Sequence, residues 1–317
     1  MEDRCLKRTG SSHRNRWGVI LAGGDGTRLR PLTKLIAGDD RPKQFCPLLG
    51  GKTLLELTRR RVARTIPMEQ TLFVVTRKHE RFYRAQLSGV QPERLVVQPK
   101  NQGTAPAILY SLLRLSLTCP DGVAAFFPSD HYLSDDETFM ACVEAAFEIA
   151  EARPDLVVLL GITPEGPEED YGWIEPASPI LTKSPGELFR VRRFWEKPNH
   201  VLARQLQGRG CLWNSFVMVG RVTAFLGMIR RSVPDLYNAF AVAWTALGTP
   251  DEVAEIRSLY HQLPETNFSK EVLAVCPHEL AVLPVGNVGW SDWGDPGRVL
   301  STLAQIGARA EWAAPAV

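Results

Sequence analysis

Short apolar runs recur along the first half of the chain with no polar alternation inside them: Trp17–Ala22, Thr71–Thr76, Leu95–Val97, Val123–Phe127 and Leu156–Leu160. Their β-branched and aromatic content predicts strands covered on both faces. Helical patterns lie between them. From Thr53, the residues Leu54, Leu57 and Val62 fall near one face, the stretch from Ala105 is more apolar, and the stretch from Asp136 opens on acidic residues, as a helix N-terminus prefers. This alternation predicts an α/β fold with a mixed, mostly parallel sheet flanked by helices. After Gly161 prolines and glycines thicken. Strands are expected near Phe189–Trp195 and Leu212–Val219, helices over Arg221–Tyr260, and a last helix from about Pro296. No linker-rich stretch and no internal repeat interrupts the chain. The expected organisation is a flexible basic tail over 1–15 and one domain over 16–310. Its halves run about 16–161 and 162–310, the second being a lobe grown onto the α/β core.

Composition narrows the partners. The 317 residues carry 37 Lys and Arg against 35 Asp and Glu, a formal charge of +2, which is not the balance of a nucleic-acid binder. The six cysteines are scattered, with no C-x-x-C pair, and read as thiols of a reducing cytoplasm rather than a disulfide frame or a zinc site. No apolar run reaches the roughly 18 residues of a membrane helix, and the first residues lack the apolar segment of a signal peptide. The expectation is a cytoplasmic protein with no nucleic-acid or membrane partner.

The densest chemistry lies in "VILAGGDGTRLRPLTKLIAGDDRPKQF", Val19 to Phe45. A glycine-rich turn directly after a strand lets backbone N–H groups point into one concavity, and ligands of open α/β sheets sit at the carboxyl ends of strands. Arg28 and Lys43 are placed to add charge-assisted bonds to phosphate oxygens. The nearby "GGKT" does not make a rival phosphate loop. The Walker pattern needs a glycine where Cys46 stands, and the dinucleotide pattern needs one where Leu29 stands. "GGKT" therefore reads as a turn leading into the next helix.

With "LAGGDGTRLRPLT" and "RPKQF" stand "QPKNQGTAPAI", "FFPSDHYL", "YGWIEP", "FWEKPN", "LWNS" and "GWSDWGD", in this order. From Trp17 to Ile306 the chain resembles the sugar-1-phosphate nucleotidyltransferases, and within them the mannose-1-phosphate guanylyltransferase branch. The resemblance implies Mg²⁺-assisted, in-line attack of a sugar 1-phosphate on the α-phosphate of GTP, giving GDP-mannose and pyrophosphate. The nucleophile is a phosphate monoester with a second pKa of about 6, so no general base is required, and positioning and cations carry the catalysis. By resemblance, Leu21, Ala22, Gly23, Gly24, Gly26 and Thr27 line the triphosphate, and Arg28 and Lys43 hold its phosphates. Asp130 carries Mg²⁺, with Asp292 as second carboxylate. Gln98, Gly103 and Thr104 sit near the base. Lys197, with Glu196, clamps the sugar phosphate, and Gly172, Glu175 and Asn214 meet the sugar.

Three departures from the family pattern stand out. "KLIAGDD" (Lys34 to Asp40) lengthens the first motif, and the expectation is a longer flap over the triphosphate, with Asp39 and Asp40 as solvated acids or further metal carboxylates. Phe216 stands where the family usually has glycine after "WNS". Ser269 stands where it often has an acid. These leave open the same chemistry with another sugar or nucleotide, or a silent nucleotide-sugar-binding homologue. A kinase using Lys52 is the weakest alternative. Some relatives carry a further isomerase barrel or β-helix, and a single-activity protein is expected here, with a homodimer as the assembly to test for.

Overall fold

The computed structural model describes residues 15–182 and 186–307. Most of the expected N-terminal tail lies outside the described residues.

Uninterrupted apolar runs become buried strands: β1 (Arg16–Leu21), β2 (Thr71–Thr76), β3 (Leu95–Gln98), β4 (Val123–Pro128) and β5 (Val157–Ile162). Two strands fall outside those expected from the sequence: β6 (Gly172–Ile180), broken by Pro176 and Pro179, and β9 (Leu280–Val285), an apolar run that is buried along most of its length. With β7 (Leu188–Glu196) and β8 (Leu212–Arg221), the described residues form one nine-stranded sheet, ordered β3-β2-β1-β4-β8-β5-β9-β7-β6. The run β3-β2-β1-β4 is parallel, β8 enters antiparallel between β4 and β5, and β5 and β9 are parallel. The β6–β7 hairpin pairs back to β9 through β7 and to the start of β8 through β6, which closes a ring through β8, β5, β9, β7 and β6.

Ten helices among the described residues flank the sheet: α1 (Arg30–Ala37), α2 (Leu54–Val62), α3 (Glu80–Tyr83), α4 (Thr104–Thr118), α5 (Asp136–Ala152), α6 (His200–Gly208), α7 (Val222–Ser232), α8 (Pro234–Ala243), α9 (Glu252–Gln262) and α10 (Pro296–Gln305). One core packs α2 and α5 against one face of the sheet. The other packs α4, α7, α8 and α9 against the opposite face. Both faces being covered explains why the strands lack polar alternation.

"GGKT" behaves as a helix lead. Thr53 Oγ1 accepts the Glu56 N–H (3.2 Å) and Glu56 Oε2 accepts the Thr53 N–H (3.2 Å), a capping box at the start of α2. The Lys34–Asp40 segment corrects an expectation. It is not a flap over the cleft described below: it forms the second half of α1, which is capped by Gly38, and closes with ion pairs from Asp39 to Arg41 (2.7 Å) and Asp40 to Arg81 (2.8 Å). Arg41 and Arg81 both stack on Phe82, so the two acids tie α1 to α3. Neither is free for a metal.

Candidate active site

The carboxyl ends of β1 and β4 open on a cleft of about 430 Å³, whose far wall comes from β6, β7, β8 and the loops at 265–269 and 290–292. On the near side the glycine loop after β1 is tied down by its carbonyls. Gln44 Nε2 donates to Ala22 O (3.1 Å) and Gly24 O (2.8 Å), and Thr76 Oγ1 donates to Gly23 O (2.9 Å). With the carbonyls engaged from behind, the loop's N–H groups remain for an anion. Asp25, inside the loop, pairs with Lys78, His79 (3.1 Å) and Asn101 (3.4 Å).

Lys43 stands in a short 3-10 turn and is only 7% exposed. A lone ammonium buried that deeply is costly, so its partners define it. Lys43 Nζ faces Asp130 Oδ2 (3.2 Å) and donates to the carbonyls of Asp292 and Trp293 (3.2 Å to the latter). Burial pushes the Asp130 carboxyl up, but Lys43 and then His131 outweigh it and hold the group below its ordinary range. Asp292 follows the same balance, with Lys43, His131 and Arg298 as its cations. Burial keeps the His131 imidazole below its ordinary value, against the pull of Asp130. Arg28 is half exposed, 3.2 Å from Asp170 Oδ2 and 4.0 Å from Asp292 Oδ2.

The organising residue of the far wall is Arg298, on α10. It meets Asp292 (3.0 Å), Glu168 (2.5 Å), Asp295 (3.3 Å) and Asp170 (3.6 Å), and lies over the Tyr171 ring at 4.6 Å. Burial opposes its charge, but Tyr171, Asp292 and Glu168 more than compensate. Tyr171 OH (3.1 Å), the Gly294 N–H (2.9 Å) and Arg298 all donate to Asp292 Oδ1, while Oδ2 is the oxygen toward Arg28. Composition alone gives no signal for Arg298, which sits in an ordinary helical run. Its proximity to "GWSDWGD" is the only hint.

Of the residues singled out from sequence, Leu21, Gly23, Gly24, Arg28, Lys43, Gln98, Gly103, Thr104, Asp130, Gly172, Glu196, Lys197, Asn214 and Asp292 line this cleft, together with Phe216 and Ser269. Gly26 and Thr27 line an adjoining hollow shared with Arg28, Lys43 and Asp130. Two fall elsewhere. Ala22 is buried, its N–H and carbonyl spent on Val74 and Gln44. Glu175 is not part of the cleft lining, and Arg192 stands 3.8 Å from its carboxylate. Gln98 Oε1 accepts from Tyr260 OH (3.2 Å). Glu265, which no sequence motif singles out, lines the cleft near Ser269 and leaves an acid on that wall. Burial raises the Glu196 carboxyl, against Lys197.

Such a cleft, with a glycine loop, two cations and two carboxylates converging at strand ends, belongs to the class of α/β proteins that handle phosphorylated nucleotides. Residues 17–306 match the family model described as Nucleotidyl transferase, and the chain belongs to that family. Xanthan biosynthesis protein XanB of Xanthomonas campestris pv. campestris is 30% identical over 91% of this chain and 60% of its own length. Mannose-1-phosphate guanylyltransferase of Escherichia coli (strain K12) is 29% identical over 87% of this chain and 57% of its own. The chain thus spans about three fifths of the length of these curated relatives. A solved structure from Thermus thermophilus, described as a mannose-1-phosphate geranyltransferase, matches with a TM-score of 0.77 at 30% identity, covering 90% of this chain and 79% of that one. No helix among the described residues is long and apolar enough to cross a membrane.

Proposed function

We propose that this chain joins GTP and α-D-mannose 1-phosphate into GDP-mannose, releasing pyrophosphate. The observation that carries the reading is the pairing of Lys43 with Asp130 and with the Asp292 loop at the strand ends, facing Lys197 across one cleft. A reaction between two polyanions needs cations that hold both partners in line, and it needs no protein base because the attacking phosphate is already ionised near neutral pH. Arg28 and Lys43 hold the triphosphate and stabilise the departing pyrophosphate. Lys197 fixes the sugar phosphate, and Asn214 and Glu196 meet sugar hydroxyls. The choice of guanine and mannose is supported by the names of the relatives above.

The carboxylates suit Mg²⁺. Among the described residues no group of three or more His, Cys, Asp or Glu converges as a protein-made metal cage. Mg²⁺ bridging phosphates takes one or two carboxylates and fills its remaining positions with phosphate oxygens and water. Asp130 and the Oδ2 of Asp292 would hold it, and its chemistry would be charge neutralisation on the reacting phosphates. A panel of nucleoside triphosphates against sugar 1-phosphates, read by pyrophosphate release with and without Mg²⁺, tests the reading. GTP with mannose 1-phosphate is expected to lead, and no release from any pair would refute it.

A further inference from the structure

We infer that Phe216 sets which sugar the cleft admits, favouring hexose 1-phosphates without a bulky ring substituent over N-acetylhexosamine 1-phosphates. The inference rests on the reading above for the identity of the ligand.

Strand β8 does not pass β5 regularly. Leu159 pairs with Met218 and Gly161 with Asn214, so one residue of β5 lies opposite three of β8, residues 215–217. The middle one is Phe216, with φ +59°. For a bulky side chain this is a backbone outlier that the surroundings must impose. They do so on both sides. Asn214 Oδ1 accepts the Phe216 N–H (3.1 Å), while Ser215 Oγ accepts the Val217 N–H (3.1 Å) and donates to Leu160 O (2.6 Å).

The bulge brings Phe216 to the cleft wall, and its partly buried side chain also packs on the apolar core below. A glycine would make the same turn without strain. A phenylalanine held there is therefore explained by its ring. Around it, Asn214, Glu196 and Lys197 line the same cleft, and Asn214, its oxygen spent on the Phe216 N–H, still has its NH₂ to offer. This polar frame suits hydroxyls and a phosphate, and the ring suits the apolar C–H face of a sugar. On this inference the same ring, being part of the cleft wall, leaves less room for an N-acetylamino substituent than a glycine would.

The test compares the unaltered protein with Phe216→Gly and Phe216→Ala. Each is given mannose 1-phosphate or N-acetylglucosamine 1-phosphate, and both turnover with GTP and calorimetric affinity are measured. The unaltered protein is expected to prefer mannose 1-phosphate, and both variants should reduce that preference by about tenfold or more, in line with what one steric contact discriminates, chiefly through the affinity for the larger sugar. Phe216→Gly should also melt above Phe216→Ala, since alanine keeps the backbone strain. A preference unchanged within about twofold in both variants, an unaltered protein that prefers the N-acetylated sugar, or no binding of either sugar phosphate overturns the inference. Binding without pyrophosphate release would instead count against the nucleotidyl-transfer reading, and the affinity ratio would still decide the role of Phe216.

Discussion

The two walls of the cleft are built on opposite principles. On the glycine-loop wall, left-handed backbone falls on glycine: Gly26 (φ +56°) and Gly103 (φ +86°). On the far wall Lys197 and Phe216 are left-handed, and so is Trp293, buried just behind it; these are the only non-glycine residues with positive φ among those described. The first wall presents backbone, which suits a phosphate chain read by N–H groups, and a side chain there would obstruct. The second wall presents side chains from irregular points in antiparallel strands and loops, and it accepts strain of roughly 1–3 kcal/mol per residue to aim them. At Trp293 the purpose is visible: the consecutive carbonyls of Asp292 and Trp293 both turn to Lys43, while the indole stacks on Tyr132.

The contrast can be broken at its joints. Lys43 links both walls, and under the proposed function Lys43→Ala should lower kcat about a thousandfold, with Arg28→Ala costing somewhat less, because each would remove a cation from the charge that develops on the phosphates. Steady-state kinetics checks this, and activity within tenfold of the unaltered protein would separate these cations from the chemistry. Gly103→Ala tests the backbone wall. Its Cβ would sit 2.3 Å from Thr266 O in a left-handed conformation, so a loss of about 3 kcal/mol or more is expected in urea denaturation. Arg298→Ala tests the side-chain wall. It strips the shared cation from Glu168, Asp170 and Asp292, and should cost about 3 kcal/mol by the same measurement.

A smaller effect concerns pH. His79, behind the glycine loop, has its pKa lowered chiefly by burial, with Asp25 pulling the other way and Lys78 adding to the fall. The unfolded chain therefore takes up this proton near pH 6.5 while the folded protein does not. Stability should fall as pH drops below about 6.5, by up to about 1.4 kcal/mol per pH unit, until the folded pKa is passed. Melting curves of the unaltered protein and His79→Gln across pH 7 to 5 should show a shallower slope in the variant. The smallest effect belongs to Lys52, exposed in its turn and outside the cleft lining: Lys52→Ala should leave kcat within about twofold.

The glycine-loop wall is largely legible in the sequence because everything it needs is local. A buried strand, its terminal glycines and the cations close behind lie within Val19–Phe45, and β1, β2 and β4 announce themselves by unbroken apolar runs fully covered by helices. The helix lead at Thr53 is equally readable from residue spacing. By contrast β6 and β9 escape notice, the first because prolines punctuate a strand held by its ring of neighbours. The Lys34–Asp40 segment reads as a flap because its ion pairs run to residues the sequence leaves unconnected, notably Arg81.

What the chain determined by itself is the set of local devices: strands, helix caps, the phosphate-suited loop and the motifs that place it in its family. Tertiary structure alone decided the partnerships between residues far apart in sequence. Lys43 is paired with the carbonyls of Asp292 and Trp293, some 250 positions on, Arg298 gathers carboxylates from two loops, Glu175 falls outside the cleft lining while Glu265 is part of it, and Phe216 is forced into a strained bulge. The physical reason is that burial makes each of these groups costly unless paired, and the sequence names the groups without saying which of them the sheet will bring within reach.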